Sequence, residues 1–524
     1  MPETPSMPGI PIPGMVFGND PRPSAPPLPP LPPRRPRYDV AAELPRAAPR
    51  RVLAAVAVAG VAAALLLPGD LSGIGIALTG ITVLGAVFVG SPERPGRGQL
   101  LTAAGIVALL AVPGWRSAEW LTVWYVLLAV AATTVLVVGG RTLRDMGFAV
   151  VAPLMVSLHT SVWLTRAAGE AYAGSKVQNP RAVLGVGAVT VALVGVFGAL
   201  FAGADAVFAG LLSALTPDVD DPTVTANVAV GVVVGLFTAL GCYLRYARPR
   251  LIDRDPDRAP TRDTWAWAVP TGTVLVVFVA FLGTQAGAMI GGQDYVRETA
   301  NLTSAEYARS GFWQLFAVTA LTILVVTVAW QRADRTTTRD RMTVRGILGG
   351  LCLATLLVVA SALHRMYLYI DAYGATRLRI SVMAVELCLG AIVVALMVAG
   401  AGLGTRHLAR AVGALVIGAA LAFAVYNPDA QIARINVDRY EASVARDEAP
   451  RIDTSYLSGL SPDATGQLLR LPTGLRPCVL LLIAETARDK RGWTGFTVGR
   501  AQAKSDLRDV ELPTAGASGA CPQP

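Results

Sequence analysis

The sequence predicts an all-α protein: a polytopic transmembrane helix bundle of about eleven crossings, followed by a small, mainly helical extracytoplasmic C-terminal region. Composition is the first reason, since hydrophobic residues make up 53% of the 524-residue chain and charged residues only 15%. The second is that the apolar residues fall into runs of roughly 20, which at the helical rise per residue matches a hydrocarbon core about 30 Å thick. The third is that arginines gather in the short stretches between those runs, where basic residues set orientation. A lipid bilayer is the expected surrounding, and a multi-pass position in the cell (plasma) membrane the expected location.

Taken in order, residues 1–50 hold sixteen prolines, including PSAPPLPPLPPRRPR at 23–37, and carry too little apolar surface to fold alone. They are expected to be a disordered cytoplasmic tail, with polyproline II docking to an SH3-like partner as the alternative. Residues 51–426 form the bundle, with apolar runs at 52–68, 71–90, 100–113, 119–140, 146–165, 182–204, 224–244, 264–290, 311–330, 346–363, 378–402 and 408–426. The arginine-bearing tail, RYARPRLIDRDPDR at 245–258 and QRADRTTTRDRMTVR at 331–345 should all face the cytoplasm. Seven runs separate the first two of these anchors, and an odd number of crossings would put 245–258 outside. One early run must therefore fail to span. We choose 146–165, because it contains Pro153, Ser157, His159, Thr160 and Ser161 and has basic residues on both flanks. The short run 100–113 is the alternative. Eleven crossings then place 205–224, 291–311, 364–377 and the C-terminal region outside.

Residues 427–524 are expected to be a small helical domain on that outer side. NPDA at 427–430 and SPDA at 461–464 both read as helix starts: a capping Asn427 or Ser461, a proline in the first turn, then an acid. PCVLLLIAETAR at 477–488 supplies an apolar core too short to span. Cys242, Cys352 and Cys388 fall inside apolar runs, whereas Cys478 and Cys521 lie in the tail. An oxidising compartment would permit a Cys478–Cys521 bridge; the favoured reading leaves Cys521 unpaired in a disordered end.

The net charge of +9 does not point to nucleic acid, because the basic residues sit in short loops between apolar runs. Only Lys176, Lys490 and Lys504 are lysines, so the arginines reflect composition and not bidentate recognition. There is no GxxxxGK[ST], HExxH or CxxC motif, and His159, His364 and His407 fall at different depths or sides, so neither a metal nor a cofactor is expected.

HRMYLYIDAYGATRLRI at 364–380 is a polar stretch between two apolar runs. If the preceding helix continues to Tyr373 and stops at Gly374, its last turns project beyond the hydrocarbon. His364, Tyr367 or Leu368, and Asp371 then share one face, and Arg365, Tyr369 and Tyr373 another. Two readings follow: a functional cluster for a proton, ion or polar ligand, or an interfacial belt of tyrosine and arginine. Glu386, about two turns into the next run, is costly unless paired, protonated or beside water, with Arg377 and Arg379 as available partners. The candidate functional cluster is His364, Arg365, Tyr367, Asp371 and Glu386. Weaker candidates are Glu306 and Arg309, spaced to pair in LTSAEYARSGFWQLF at 302–316, and Asn427, Asp429 and Arg434 in NPDAQIARINVDRY at 427–440.

Together, AGADAVF at 202, LTSAEYARSGFWQL at 302, HRMYLYIDAYGATRLR at 364, NPDAQIARINVDRY at 427 and DTSYLSGLSPDA at 453 resemble a bacterial membrane-protein family catalogued as domain of unknown function 4153, also met as 4173. The resemblance covers about residues 180–470. It implies a multi-spanning membrane protein and supplies no activity. Three functional classes remain. A non-enzymatic envelope sensor or scaffold, meeting an envelope protein or small ligand at its outer face, accounts best for polar motifs gathered on one side. An ion- or proton-coupled transporter is motivated by Glu386 and Gln285 inside apolar runs. A membrane enzyme with outer-face acid–base residues such as His364 and Asp371 ranks last.

Overall fold

The chain divides into Met1–Arg37 and Tyr38–Pro524. A computed structural model describes, in the second unit, residues 48–67, 72–89, 95–139, 142–171, 222–247, 264–290, 312–402, 407–448, 452–489 and 492–510, with the two-residue strands β1 (Tyr38–Asp39) and β2 (Arg250–Leu251) and a few single positions. The tail 1–37, the run 182–204 apart from Phe197 and Phe201, and Glu306 and Arg309 lie outside the described residues.

Helices α1 (Arg50–Leu66), α2 (Ile74–Val89), α3 (Arg97–Trp115), α4 (Glu119–Val138), α5 (Leu143–Ala171), α6 (Pro222–Ala247), α7 (Trp265–Ile290), α8 (Phe312–Arg332), α9 (Thr338–Tyr373), α10 (Arg377–Gly400) and α11 (Leu408–Tyr426) form the bundle. The C-terminal region adds α12 (Pro428–Ala445), α13 (Thr454–Ser458), α14 (Thr465–Leu468), α15 (Arg476–Arg488) and α16 (Val498–Asp506). Among the described residues, nine helices are long and apolar enough to cross a membrane, and α2 is a shorter apolar one. This is an all-α integral membrane protein.

Local chemistry sets the helix ends. Thr337 caps α9 by accepting from the Asp340 N–H at 3.1 Å, and Gly374, at φ +82°, stops it where the sequence places the stop. Thr376 caps α10 in turn, accepting from the Arg379 N–H. Asn427 and Ser461 do not act as the expected side-chain caps. Asn427 makes no cap hydrogen bond and instead joins α11 to α12 through a left-handed backbone, φ 55°. Ser461 likewise makes none, because its hydroxyl is engaged by Asp463.

Close packing follows from small residues. Gly60 of α1 meets Gly231 and Gly235 of α6, where an added methyl at Gly231 would lie 2.7 Å from the Gly60 carbonyl oxygen. α9 packs against α7, α8 and α10, and α11 bridges α10 to α3. The core of the C-terminal region, including Ile432, Leu457, Leu468, Leu480 and Ile483, is continuous with Met366, Ile370 and Ile380 of α9 and α10. Cys242, Cys352 and Cys388 are free, and Cys478 is disulfide-bonded, which corrects the unbridged reading of the tail thiol. Cys521 lies outside the described residues.

α5 packs differently from its neighbours. Its buried side chains Ala152, Val156, Trp163 and Ala167 share one cluster with Ala48 and Val52 at the start of α1, Val87 at the end of α2, Val137 at the end of α4, and Cys242, Tyr243 and Leu244 near the end of α6.

Candidate functional site

Three turns meet at the other end of the bundle: Arg116–Ala118 between α3 and α4, Gly374–Thr376 between α9 and α10, and Asn427 between α11 and α12. The C-terminal region closes over them. Its α12 grips the α9–α10 turn through the backbone. Asn436 accepts from the Ala375 N–H at 3.2 Å and donates to the Ala375 carbonyl at 2.9 Å, while Arg439 donates to the carbonyls of Asp371 and Ala372, each at 2.9 Å. Arginine on the last carbonyls of a helix answers both their unmet hydrogen bonds and the helix dipole.

Two aspartates lie at the centre, one from each Pro-Asp-Ala motif. Asp429 is fully buried and its carboxylate accepts four hydrogen bonds. Arg377 donates to both oxygens, Nε to Oδ1 at 3.0 Å and Nη2 to Oδ2 at 2.7 Å; Trp120 Nε1 adds a bond to Oδ1 at 3.2 Å and the Ser461 N–H one to Oδ2 at 2.9 Å. Arg377 also donates to the Gly459 carbonyl at 3.0 Å, and its backbone N–H to the Tyr456 hydroxyl at 2.7 Å. A fork-to-fork pair with every acceptor site used is the arrangement in which a buried charge is tolerated.

Asp463 is less well served. Its Oδ2 accepts from the Ser117 N–H at 2.7 Å and the Ser461 hydroxyl at 3.1 Å, but its buried Oδ1 has no hydrogen bond among the described residues and lies 3.7 Å from Arg116 Nη1. Arg116 spends its other donors on the carbonyls of Ala424 and Val425 in the last turn of α11. Burial accordingly raises the Asp463 carboxyl above the usual carboxylate range, against the Ser117 N–H and Arg116, and burial lowers Arg116 against Asp463. Ser461 links the two acids, giving its N–H to one and its hydroxyl to the other. Beside them is a polar-walled cavity of about 160 Å³ bounded by Asn427, Asp463, Gln467, Gln502 and Asp506.

The residues singled out in the sequence are distributed unevenly around this joint. His364, Tyr367 and Asp371 are exposed on α9, whereas Arg365 is 7% exposed and donates to Gln285 of α7 at 2.7 Å. Glu386 is fully buried, with Oε1 at 2.9 Å from the Thr319 hydroxyl of α8 and Oε2 without a hydrogen bond among the described residues. No described contact joins Glu386 to His364 or Asp371, nor to Arg377 or Arg379, which turn to Asp429 and to the Tyr369 ring. Asp429 stands at the centre, and Arg434 forms an exposed pair with Asp438 at 3.7 Å. Arg116, Ser117, Trp120 and Asp463 were not singled out by sequence reading, although the repeated Pro-Asp-Ala was the signal available for Asp463.

Searches of curated proteins and of solved structures found no match. A family profile described as a domain of unknown function, DUF4153, matches residues 101–471. The match starts well before residue 180, so it takes in Arg116, Ser117 and Trp120 as well as Arg377, Asp429 and Asp463. Extending over more than two thirds of the chain and over both buried acids with their arginines, it makes this protein a member of the DUF4153 family.

Proposed function

We propose that the protein is a non-enzymatic envelope sensor or scaffold of the plasma membrane, in which an extracytoplasmic C-terminal region is coupled to the helix bundle through the paired aspartates. The observation that carries this reading is the joint itself. Asp429 and Asp463 tie α12 and the Ser461 loop to α3, α4, α10 and α11 at once, so an envelope protein or small ligand met by the outer region has a stiff connection to several helices. A cytoplasmic N-terminus, an extracytoplasmic C-terminus and eleven crossings, with α5 not spanning, fit the arginines at the opposite end and a bonded Cys478.

The test is complementation in a strain lacking the protein. Asp429→Asn, which leaves Arg377 unpaired, and Asp463→Ala, which removes the acceptor of the Ser117 N–H and the Ser461 hydroxyl, should insert at normal levels, show faster proteolysis of 452–510 from outside, and fail to restore the envelope phenotype. Full restoration by variants with a loosened outer region would overturn the coupling.

Glu386 favours proton-coupled transport as a second reading, since a fully buried carboxyl inside a membrane-spanning helix, with the Thr319 hydroxyl as its partner among the described residues, is the kind of group that marks an ion or proton path. Proteoliposomes answer it: pH-gradient-driven flux present in the wild type and lost in Glu386→Gln would replace the sensor reading.

A further inference from the structure

We propose that α5 is an interfacial helix lying in the plane of the cytoplasmic leaflet, its outward apolar stripe among acyl chains and Arg144 and Arg166 on the phosphates of anionic phospholipids. The assignment to the cytoplasmic leaflet rests on the orientation proposed above; the in-plane placement does not.

Length and composition alone would let α5 cross. Its contacts argue otherwise. Met146 packs against Gly413 near the start of α11, and Trp163 packs against Tyr243 and Tyr246 at the end of α6, with ring centroids 5.5 and 5.8 Å apart. Met146 and Trp163 are separated by roughly 25 Å of helix. A crossing helix would have carried Trp163 to the far end of its neighbours. Every helix terminus in its buried cluster belongs to the same end of the bundle: the start of α1 and the ends of α2, α4 and α6. α5 therefore stays at the level of that bundle end along its length.

The two faces of the helix fit that position. Ala149, Ala152, Val156, Thr160, Trp163 and Ala167 recur at spacings of three and four and are buried. The opposite face exposes Val150, Leu154, Leu158 and Val162, with Leu154 79% and Leu158 72% exposed. Its hydroxyls do not need water, because Ser157, Ser161 and Thr165 donate to the carbonyls of Leu154, Leu158 and Val162 on the same helix. Arg144 is exposed in the first turn and Arg166 half-buried near the far end, and exposed Arg50, Arg51, Arg97 and Arg410 surround the same bundle end. An apolar stripe edged by arginine is complementary to anionic lipid, whose surface potential attracts each such cation.

Spin labels placed singly at positions 150, 154, 158 and 162 of the full-length protein, in nanodiscs of phosphatidylcholine with phosphatidylglycerol, read the depth of each site from oxygen and nickel-chelate accessibility. The expected result is one common depth within about a turn of helix, whereas a crossing helix would show a steady change of about 18 Å from 150 to 162. That gradient would overturn the in-plane placement. In native mass spectrometry, Arg144→Gln with Arg166→Gln should reduce retained phosphatidylglycerol at least twofold without changing retained phosphatidylcholine; unchanged retention would overturn the lipid contact. Labelling of a cysteine at 144 by an impermeant reagent outside intact cells would overturn the orientation alone, leaving the common depth as it stands.

Discussion

At the scale of single residues, the two aspartates should behave differently although their motifs match. Asp429 has all its acceptor sites used, so Asp429→Ala strands Arg377 and should cost roughly 3–5 kcal/mol, read as a lowered unfolding midpoint of the solubilised protein. Asp438→Ala, whose pairs with Arg434 and Arg470 are both exposed to solvent, should change that midpoint much less. Asp463 carries the pH dependence. Its carboxyl is raised in the folded protein, so the fold favours the protonated form. The corresponding stability is present below the ordinary aspartate pKa of about 4 and is lost as pH rises through the raised value. Stability measured across this window should fall in the wild type and stay flatter in Asp463→Asn; equal slopes would show that Asp463 titrates normally. Glu386 is a third case. Replacement by glutamine keeps an isosteric acceptor beside the Thr319 hydroxyl and should leave insertion and thermal stability near wild type, whereas Glu386→Lys should sharply reduce the folded protein recovered from membranes.

Elements meet at glycines here, and the consequences are local. Gly374 combines a left-handed backbone with a position where an added methyl would strike the Asn436 amide. Gly374→Ala should therefore both strain the turn and push α12 away from it, destabilising by about 1–2 kcal/mol from backbone conformation alone. Protease sensitivity at α12 should rise with it. Gly231→Leu would separate α1 from α6, since the glycine faces the Gly60 carbonyl and Ala64. The variant should lose cross-linking between cysteines placed on those two helices while keeping the contacts of Asp429 and Asp463.

For the whole molecule, the continuous core between α9, α10 and the C-terminal helices means that the outer region is not an independent appendage. Heating should give one unfolding transition for bundle end and C-terminal region together, followed by tryptophan fluorescence and by proteolysis after α12. Two well-separated transitions would contradict the shared core. Alkylation without reductant should leave Cys478 unmodified and reach it after reduction, while buried Cys242 and Cys352 react only on unfolding.

The class of protein and most element boundaries are legible in one dimension, because the requirement to hide backbone polar groups from lipid makes apolar runs into helices without help from their neighbours. Thr337, Gly374 and Pro428 mark their helix ends by local conformational preference, which is also legible in one dimension. Helical periodicity correctly put His364 and Asp371 on one face of α9 and Arg365 on another, but it carries no information about what lies opposite each face. That decision belongs to tertiary structure. It sends Arg365 to Gln285, Glu386 to Thr319 and Arg377 to Asp429, over sequence separations that no local pattern encodes. It also turns NPDA and SPDA from expected helix caps into two buried acids, since burial and the approach of Trp120, Ser117 and two arginines arise only when four helix ends and the C-terminal region come together.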